Sequence, residues 1–365
     1  MKILLALSGG IDSSVVAHLL REQGHELVAV RFTLWSDPLA PAFAQVLPSK
    51  CCTTQNAARA KAVATALDIP YRILDLAAEF KTNVVDPYLE AHRNGRTPNP
   101  CIGCNRTMKF GKLLEVADAM GCDRIATGHY ARLARERLPD GGERTLLLEA
   151  VDSAKDQSYY LYGLTQEQLQ RIVFPLGAMR KSEVFTLAGR YGIPFERETY
   201  RESQDLCFFP EKTPEAFLRR HLAAALVPGS IVRRDGTVLG THEGLPLYTP
   251  GQRRGVGVGG QPIPLEVVEK DLVQNRLIVA PCGDEQHASV RLSVLQWVSW
   301  MPQENVDEPF ACRTRSLGAR LHGHLRFRGT QGTFTFAKPQ PPAAPGQSLV
   351  LYRGEEIIGG GVVEP

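Results

Sequence analysis

The opening of this chain constrains its fold more than any other feature. Residues 2–7 are apolar apart from Lys2, and so short an unbroken run is typical of a strand buried on both faces of a parallel sheet. A loop rich in glycine and serine follows at residues 8–14, and between positions 15 and 20 apolar residues recur at helical spacing. Strand, loop and helix in this order predict an α/β sheet. Ligands bind such sheets at the carboxyl ends of the strands, where this loop lies.

The same alternation continues for about 200 residues. The pattern predicts further strands at 27–32, 71–74 and 123–127, and helices at 56–67 and 110–120. Strands that alternate with helices of this length indicate a doubly wound parallel sheet. We assign this α/β domain to residues 1–210.

Beyond residue 210 the pattern changes to closely spaced turns. Asp235 and Gly236 separate two short apolar runs, which predicts a β-hairpin, and apolar residues alternate with polar ones through 325–336. A length of 365 residues fits two or three domains. We therefore predict a small, turn-rich central domain at 211–276 and a C-terminal β-barrel at 277–365.

Composition excludes several classes of protein. With 43% hydrophobic and 22% charged residues the chain is not of the disordered type. No apolar run approaches the roughly 18 residues that a membrane-spanning helix needs, and the apolar start is too short for a signal-peptide core. We therefore expect a cytoplasmic protein without a membrane partner. A net charge of +3 permits a nucleic-acid partner without arguing for one.

The loop at residues 8–14 is suited to holding an anion. Helix N-termini present backbone N–H groups to anions, and Gly9 and Gly10 let a phosphate approach the backbone closely. Asp12 is unfavourable beside a phosphate unless a divalent cation bridges them, so we expect Mg²⁺. The alternative is an ordinary tight turn with serine caps. The loop is neither a Walker A motif nor a dinucleotide fingerprint.

The loop resembles the PP-loop of ATP pyrophosphatases, which cleave ATP between the α and β phosphates and adenylate an acceptor. The resemblance implies ATP as cofactor and places Phe32 and Gly128, each at a strand end, near the adenine. The nucleotide-binding residues that it implies are Ala6, Leu7, Ser8, Gly9, Gly10, Ile11, Asp12, Ser13, Ser14, Phe32 and Gly128.

Eight cysteines are too few for a disulfide scaffold, which directs attention to catalysis or metal binding. Cys101 and Cys104 form a C-x-x-C pair, and Cys207 follows 103 residues after Cys104. Such a pair is half of a zinc site, a redox pair or a coincidence. The cations around Cys101, Lys109 among them, predict a lowered thiol pKa. The sequence does not decide the roles of Cys51 and Cys52; we interpret Cys122, Cys282 and Cys312 as small buried hydrophobes.

Seven motifs occur in one order along essentially the whole chain. They lie at residues 8–14, 95–100, 126–130, 155–159, 207–208, 251–255 and 345–348. Each motif alone is modest, but together they are specific, and in this combination the chain resembles the tRNA-specific 2-thiouridylase family. That family replaces the 2-carbonyl oxygen of the wobble uridine of certain tRNAs with sulfur.

The resemblance implies roles for individual residues. ATP would adenylate the poor oxygen leaving group, Cys207 would carry a persulfide, and Cys104 would attack it to free the sulfur, leaving a Cys104–Cys207 disulfide. Asn99, Pro100 and Cys101 occupy the stretch that meets the target base. The further residues that would contact tRNA are His129, Lys155, Asp156, Gln157, Arg315, Ser316 and Gln347. Without the resemblance, Arg315 reads as part of a solvated strand face, and His129 as a strand-end histidine bonded to backbone.

One departure from the family leaves the sulfur chemistry open. Many members have Asp where this chain has Cys101, and three cysteines (Cys101, Cys104 and Cys207) form a ligand set suited to a 4Fe–4S cluster with one open iron. The persulfide and cluster routes therefore remain alternatives. The sulfur donor, a protein or inorganic sulfide, is undetermined, and so is the oligomeric state, with a monomer preferred.

Two other functional classes remain open. A PP-loop ligase or amidotransferase would adenylate a carboxylate instead, and it would need neither Cys104 nor Cys207. A non-catalytic RNA-binding redox sensor would have no turnover. Four arginines at 132, 135, 137 and 144 form a basic patch compatible with RNA phosphates, diluted by neighbouring acidic residues.

Overall fold

The computed structural model describes residues 1–41, 54–195, 206–211 and 213–365. Cys51 and Cys52 lie outside these residues, as does the part of the Cys207 motif that precedes residue 206. No helix within the described ranges is both long enough and apolar enough to cross a membrane.

A five-stranded sheet forms the centre of the first domain, and every pairing in it is parallel. Leu4 and Leu5 of its central strand are fully buried, because helices cover both faces of the sheet. This confirms the predicted doubly wound sheet. In spatial order the strands are Tyr71–Asp75, Glu26–Thr33, Lys2–Ala6, Arg124–Ala126 and Ile172–Val173.

Helices connect these strands and continue into the second domain. The α-helices in the described residues are Ile11–Glu22, Thr54–Ala66, Ala77–Phe80, Asp86–Arg93, Pro100–Gly103, Lys112–Ala119, Gln166–Arg171, Lys181–Arg190 and Glu215–His221. Two π-helical segments, Lys81–Val85 and Cys104–Gly111, continue neighbouring helices. Short 3-10 turns occur at Ser158–Leu161, Ala223–Ala225 and Leu245–Leu247.

The helix predicted at 110–120 begins ten residues earlier than expected, so that boundary was wrong. Asn99 is extended, as the residue before a proline prefers, and its side chain accepts a hydrogen bond from the backbone N–H of Cys101. Pro100 then occupies the first helical position, where its missing N–H costs nothing. A π-helical segment, which often marks a functional site, joins this turn to Lys112–Ala119. Cys101 and Cys104 therefore lie on a helix.

The second domain contains a four-stranded sheet. Its strands, in spatial order, are Leu265–Asp271, Arg276–Pro281, Gly229–Arg233 and Val238–His242. The last two pair antiparallel, which confirms the predicted hairpin. Arg276–Pro281, which begins at the expected end of this domain, is hydrogen-bonded into the sheet.

The third domain is a closed barrel of six strands, which confirms the prediction of a C-terminal β-barrel. In spatial order they are His287–Trp297, Gln331–Gln340, Leu321–Arg328, Glu308–Arg313, Ser348–Arg353 and Glu356–Val363, and the last pairs with the first. Phe310, Leu325 and Phe334 fill its interior. The first domain contributes a hairpin, Arg132–Arg137 with Glu143–Leu148. Its second strand pairs with the barrel strand Glu356–Val363 at Glu356.

Candidate active site

The loop at residues 8–14 joins the central strand to the helix Ile11–Glu22, as predicted. The N-cap residue of this helix is Gly10. Because glycine has no side chain, the cap makes no side-chain hydrogen bond to the N–H groups of the first turn. Ser13 and Ser14 each donate a hydroxyl hydrogen bond to the Gly10 carbonyl, at 3.1 and 2.9 Å. The helix end thus presents backbone amides, and its dipole favours an anion there.

Two glycines bring backbone close to this loop. Gly9 has φ of +85°, and a Cβ there would lie 1.9 Å from the carbonyl oxygen of Asn56. A Cβ at Gly128 would come within 3.1 Å of the Asp12 Cβ and of the Ser13 nitrogen. Any side chain at Gly9 would therefore displace backbone, and one at Gly128 would crowd the loop. Gly128, predicted to help hold the nucleotide, is indeed beside the loop.

Asp12 is the charged centre of the loop. Its Oδ1 accepts hydrogen bonds from Tyr130 Oη at 2.9 Å and from Lys181 Nζ at 2.7 Å. Lys181 is buried, which is rare for a lysine unless it is paired, and its ammonium group also lies 5.6 Å from the centre of the Tyr130 ring. A buried cation is thus held directly beside the predicted phosphate site.

The sequence analysis missed Lys181. The residue begins the helix Lys181–Arg190, 169 positions after Asp12 in the chain, and its backbone N–H donates to Asp152. Nothing in its immediate sequence distinguishes it from a solvated lysine. A helix start that follows the last strand of an α/β sheet was the only available signal, because that start also faces the carboxyl edge of the sheet.

The two predicted catalytic cysteines lie in one apolar cluster, far from each other in the chain. Cys104 is buried in this cluster, and Cys207 packs against it. We call this group the cysteine cluster; its buried members are Phe80, Val84, Val85, Tyr88, Cys104, Met108, Phe208, Phe209, Phe217, Leu218 and Leu222.

The third cysteine, Cys101, has a different electrostatic setting from the one expected. Burial raises the pKa of its thiol, and the nearby Lys109 ammonium lowers it by a smaller amount. The predicted lowering of this pKa was therefore wrong, because desolvation outweighs the cation. Cys101 is poorly suited to act as a thiolate in this state.

His129 and Lys109 connect the two halves of the site. The His129 ring lies between Phe110 and Phe174, with centroid distances of 5.3 and 6.1 Å, and its Nδ1 shares a hydrogen bond of 2.8 Å with Thr127 Oγ1. Burial, helped by the positive charge of Lys109, holds the pKa of His129 well below its usual value. Lys109 also lowers the pKa of the Cys101 thiol, so His129, which follows Gly128, and Cys101 are affected by the same cation.

A buried ion network anchors the segment that carries Cys207. The Asp37 carboxylate is fully buried and accepts hydrogen bonds from Arg220 at 2.5 Å and His221 at 2.8 Å, while the Asp37 N–H donates to the Phe208 carbonyl. Arg220 also bonds Glu211 at 2.6 Å. Burial opposes ionisation of Asp37, but the bonds from Arg220 and His221 hold its pKa below the usual value.

The loop before Cys101 is held from two other domains. Gln347 Nε2 donates to the Thr97 carbonyl at 2.8 Å, and the Thr97 N–H donates to the Pro345 carbonyl at 2.7 Å. From the second domain, Thr249 shares a hydroxyl hydrogen bond of 3.3 Å with Thr97. Gln347, expected to contact tRNA, thus also fixes the loop that contains Asn99 and Pro100.

Two of the remaining residues with an expected tRNA contact are used by the protein itself. The Asp156 carboxylate is buried and accepts hydrogen bonds from Ala150 and Ser158; burial raises its pKa despite these bonds. Gln157 accepts from the Tyr130 N–H through its side chain. Their contact with tRNA, like that of half-buried Lys155, stays a prediction.

Arg315 and Ser316 lie beside the same loop. Arg315 is exposed, next to Gly251 of the second domain, and it lines a cavity of about 720 Å³ together with Gln347. Ser316 hydrogen-bonds the phenol of Tyr160, whose neighbour on the other side is Cys101. The structure therefore brings these two predicted residues close to the stretch expected to meet the target base.

The three cysteines do not fit an iron–sulfur cluster in this structure. Among the described residues no group of three Cys, His, Asp or Glu side chains is placed to hold a metal ion. Cys101 is bounded by Tyr88 and Tyr160 as well as by Lys109. No step of the proposal below passes through a cluster.

Comparison with known proteins assigns the chain to a family. Family models match it end to end: a "tRNA methyl transferase HUP domain" at 1–211, a "tRNA methyl transferase PRC-barrel domain" at 215–281 and an "Aminomethyltransferase beta-barrel domain" at 288–363. A tRNA-specific 2-thiouridylase MnmA of Symbiobacterium thermophilum is 38% identical over 365 residues, covering 100% of this chain and 92% of the relative. The chain belongs to the tRNA-specific 2-thiouridylase family. A 2-thiouridylase of Chloroflexus aurantiacus is 41% identical, covering 98% and 97%.

Solved structures with a similar fold are more distant from this family member. A U34-tRNA thiolase NcsA from Methanococcus maripaludis, solved with its 4Fe–4S cluster, has a TM-score of 0.33 and 18% identity, covering 57% of this chain and 62% of its own. A 4-thiouridine synthetase in complex with RNA and ATP has a TM-score of 0.32 and 17% identity, covering 53% and 41%. Similarity at this level carries no inference about the site.

Proposed function

We propose that this protein is a tRNA 2-thiouridylase, which adenylates the 2-carbonyl oxygen of a wobble uridine with ATP and then replaces it with sulfur. The observation that carries the proposal is the presence of two sites in one chain. One is an anion-binding loop with a buried lysine, and the other is a cluster that contains both Cys104 and Cys207. Family membership over the full length supports the same reaction.

In the first step the uridine oxygen attacks the α-phosphorus of ATP. The bond between the α-phosphorus and the bridging oxygen breaks, and pyrophosphate leaves with the electron pair. The amides of the loop and the Lys181 ammonium are placed to stabilise the negative charge that develops on the phosphates. Asp12 is the residue that would hold Mg²⁺, and the ion would offset the negative charge of the phosphates.

In the second step sulfur replaces the activated oxygen. The Cys104 thiolate attacks the Cys207 sulfur of the persulfide, the persulfide bond breaks, and hydrosulfide is released as a Cys104–Cys207 disulfide forms. Hydrosulfide then adds to C2 of the uridine and AMP leaves, which gives 2-thiouridine. A dithiol reductant supplies two electrons and two protons to restore both cysteines. The apolar walls of the cysteine cluster exclude water that would compete with hydrosulfide.

A reconstituted reaction tests the proposal. Purified protein, tRNA with a wobble uridine, ATP, Mg²⁺ and a persulfide-carrying sulfur donor should yield 2-thiouridine, AMP and pyrophosphate in equal amounts, measured by mass spectrometry of the digested tRNA. Inorganic sulfide in place of the donor tests the second source of sulfur. A carboxylate ligase or an RNA-binding redox sensor would form no 2-thiouridine under either condition.

The route of the sulfur is tested separately from the reaction. We expect anaerobically purified protein to contain less than about half an iron per chain, because the cysteines do not form a ligand set here. Cys101→Asp, which removes one cluster ligand but neither persulfide cysteine, should keep most of the thiolation activity. Stoichiometric iron and sulfide, with activity lost in Cys101→Asp, would establish the cluster route instead.

A further inference from the structure

The third domain carries a row of basic side chains along one strand. In Leu321–Arg328 the side chains alternate between the barrel interior and solvent, and Leu325 and Phe327 are buried. Every second residue from 322 to 328 is exposed and can carry positive charge. These four residues, which we call the basic row, are His322, His324, Arg326 and Arg328.

The strand Gln331–Gln340 places threonines beside the basic row, and the strand on the other side carries Glu308, which is paired with Arg353. Thr333 lies opposite Arg326 and is itself opposite Arg291 on the next strand, while Thr335 lies opposite His324. Within the described ranges, no member of the basic row forms an ion pair with a carboxylate. The Glu304 carboxylate accepts a hydrogen bond from the Gly329 N–H at 2.9 Å, next to Arg328.

The contrast with the other basic patch of the chain is informative. Arg135 pairs with Glu143 at 3.6 Å, Arg144 pairs with Glu136, and Arg132 pairs with Glu355. Those arginines are neutralised by their neighbours, which reduces their value as phosphate contacts. The basic row keeps its charge, and keeping several like charges together on one strand costs stability unless a partner uses them.

The basic row is linked to the candidate active site through the end of the chain. Arg291, two strands away from Arg326, donates a hydrogen bond to the carbonyl of Pro365. The adjacent Glu364 pairs with Arg96 at 2.8 Å, and Arg96 is in the loop that leads to Asn99. Arg326, Arg328 and Glu364 line one surface cavity, so this end of the basic row lies near the contact with that loop.

We propose that the basic row binds the sugar–phosphate backbone of the tRNA outside the nucleotide that enters the active site. Side chains on alternate residues of a strand are about 6.6 Å apart, so successive cations can face successive phosphate groups. Arginines make bidentate hydrogen bonds to phosphate, and imidazole presents an N–H in either protonation state. Threonine hydroxyls on the next strand add donors. This inference rests on the proposed function, since it takes tRNA as the substrate.

Removal of charge from the basic row tests the inference. The double variant Arg326→Gln, Arg328→Gln should bind tRNA roughly tenfold more weakly, and the slope of log affinity against log salt should become shallower by about 2, because two phosphate contacts are lost. The matched control is Arg21→Gln, Arg72→Gln, which removes the same charge from exposed positions of the first domain. Adding His322→Gln and His324→Gln should weaken binding further. Melting temperatures of all variants report the fold.

The possible outcomes separate this inference from the proposed function. If the parent protein forms 2-thiouridine while the double variant keeps its affinity and salt slope, the basic row does not bind tRNA. Weaker binding with an unchanged slope, or an equal loss in the control variant, also contradicts it. In the expected result the double variant has a raised KM for tRNA and an unchanged kcat. A parent protein without thiolation activity would contradict the proposed function instead.

Discussion

The nucleotide loop and the cysteine cluster are built in opposite ways. Seven consecutive residues supply most of the loop, with Gly128 and Lys181 as the distant additions. The cysteine cluster instead combines side chains from residues 80–88, 104–108 and 206–222, and its members are mostly aromatic or aliphatic. Backbone amides at one helix end are enough to hold a phosphate, whereas sulfur transfer between two cysteines requires distant segments to meet.

The two regions also differ in how much they depend on packing. Phe208 next to Cys207 contacts Phe80, Tyr88 and Phe217, with ring centroids 6.1, 5.3 and 5.4 Å away. Such aromatic contacts fix the position of a segment through many weak interactions. The loop is instead positioned mainly by hydrogen bonds, between Ser8 and Ser13 and from Tyr130 and Lys181 to Asp12. Adenylation and sulfur transfer should therefore respond to different substitutions.

The largest expected effect is on sulfur transfer alone. Cys104→Ser or Cys207→Ser should reduce formation of 2-thiouridine by about a thousandfold or more, since a hydroxyl carries no persulfide and forms no disulfide. The tRNA-dependent exchange of pyrophosphate into ATP, which reports adenylation, should remain within about threefold of the parent rate. Cys282→Ser is the control. An equal fall in both assays would show that the two regions act as one unit.

Lys181→Met should have the next largest effect, on adenylation at the nucleotide loop. Loss of one preorganised donor to a developing negative charge lowers rates by about 10² to 10³, so pyrophosphate exchange should fall by that factor. Lys181→Arg should retain more activity than Lys181→Met. The rate of Cys104–Cys207 disulfide formation should not change. Lys112→Met is the matched control, since Lys112 is a half-buried lysine paired with Glu79 and Glu115. A comparable loss there would contradict the special role of Lys181.

Asp37→Asn should slow the cysteine chemistry about tenfold while leaving adenylation intact. The amide keeps the size of Asp37 but not the charge that holds Arg220, so the segment with Cys207 should be less firmly placed. Diamide oxidises the two thiols to a disulfide, taking up two electrons and two protons, and the rate can be followed by peptide mass spectrometry. Glu285→Gln, which also removes an arginine-paired carboxylate, is the control. An unchanged rate, in a variant with normal pyrophosphate exchange, would contradict this role.

The smallest expected effect is on stability at acidic pH. Burial lowers the pKa of His92 to about 4, with help from the Lys270 charge, and His92 contacts Tyr88 of the cysteine cluster. Between pH 6.5 and 4 the unfolded chain binds a proton that the folded chain does not. The free energy of unfolding should therefore fall by about 3 kcal/mol as the pH decreases through this window, with no penalty from His92 above it. Urea titrations of His92→Gln should show a flatter dependence; the same slope as in the parent would rule out His92 as the cause.

Local sequence patterns were sufficient to predict much of the architecture. The strands near 2–7 and 71–74, the helix near 56–67 and the hairpin around Asp235 follow from burial periodicity and turn chemistry, which act within a few residues. The helix around Cys101 was not predicted, because a proline favours an extended conformation in the residue before it. Pro100 instead occupies the first position of a helix capped by Asn99.

The sequence by itself determined the α/β start, the anion-binding loop and the family, since each depends on residues that are adjacent or in fixed order. Only the tertiary structure decided that Lys181 meets Asp12, that Asp37 anchors the Cys207 segment and that burial raises the pKa of the Cys101 thiol. Charge pairing and desolvation depend on which distant groups share a low-dielectric environment. Packing of the folded chain determines this, and residues adjacent in the sequence do not.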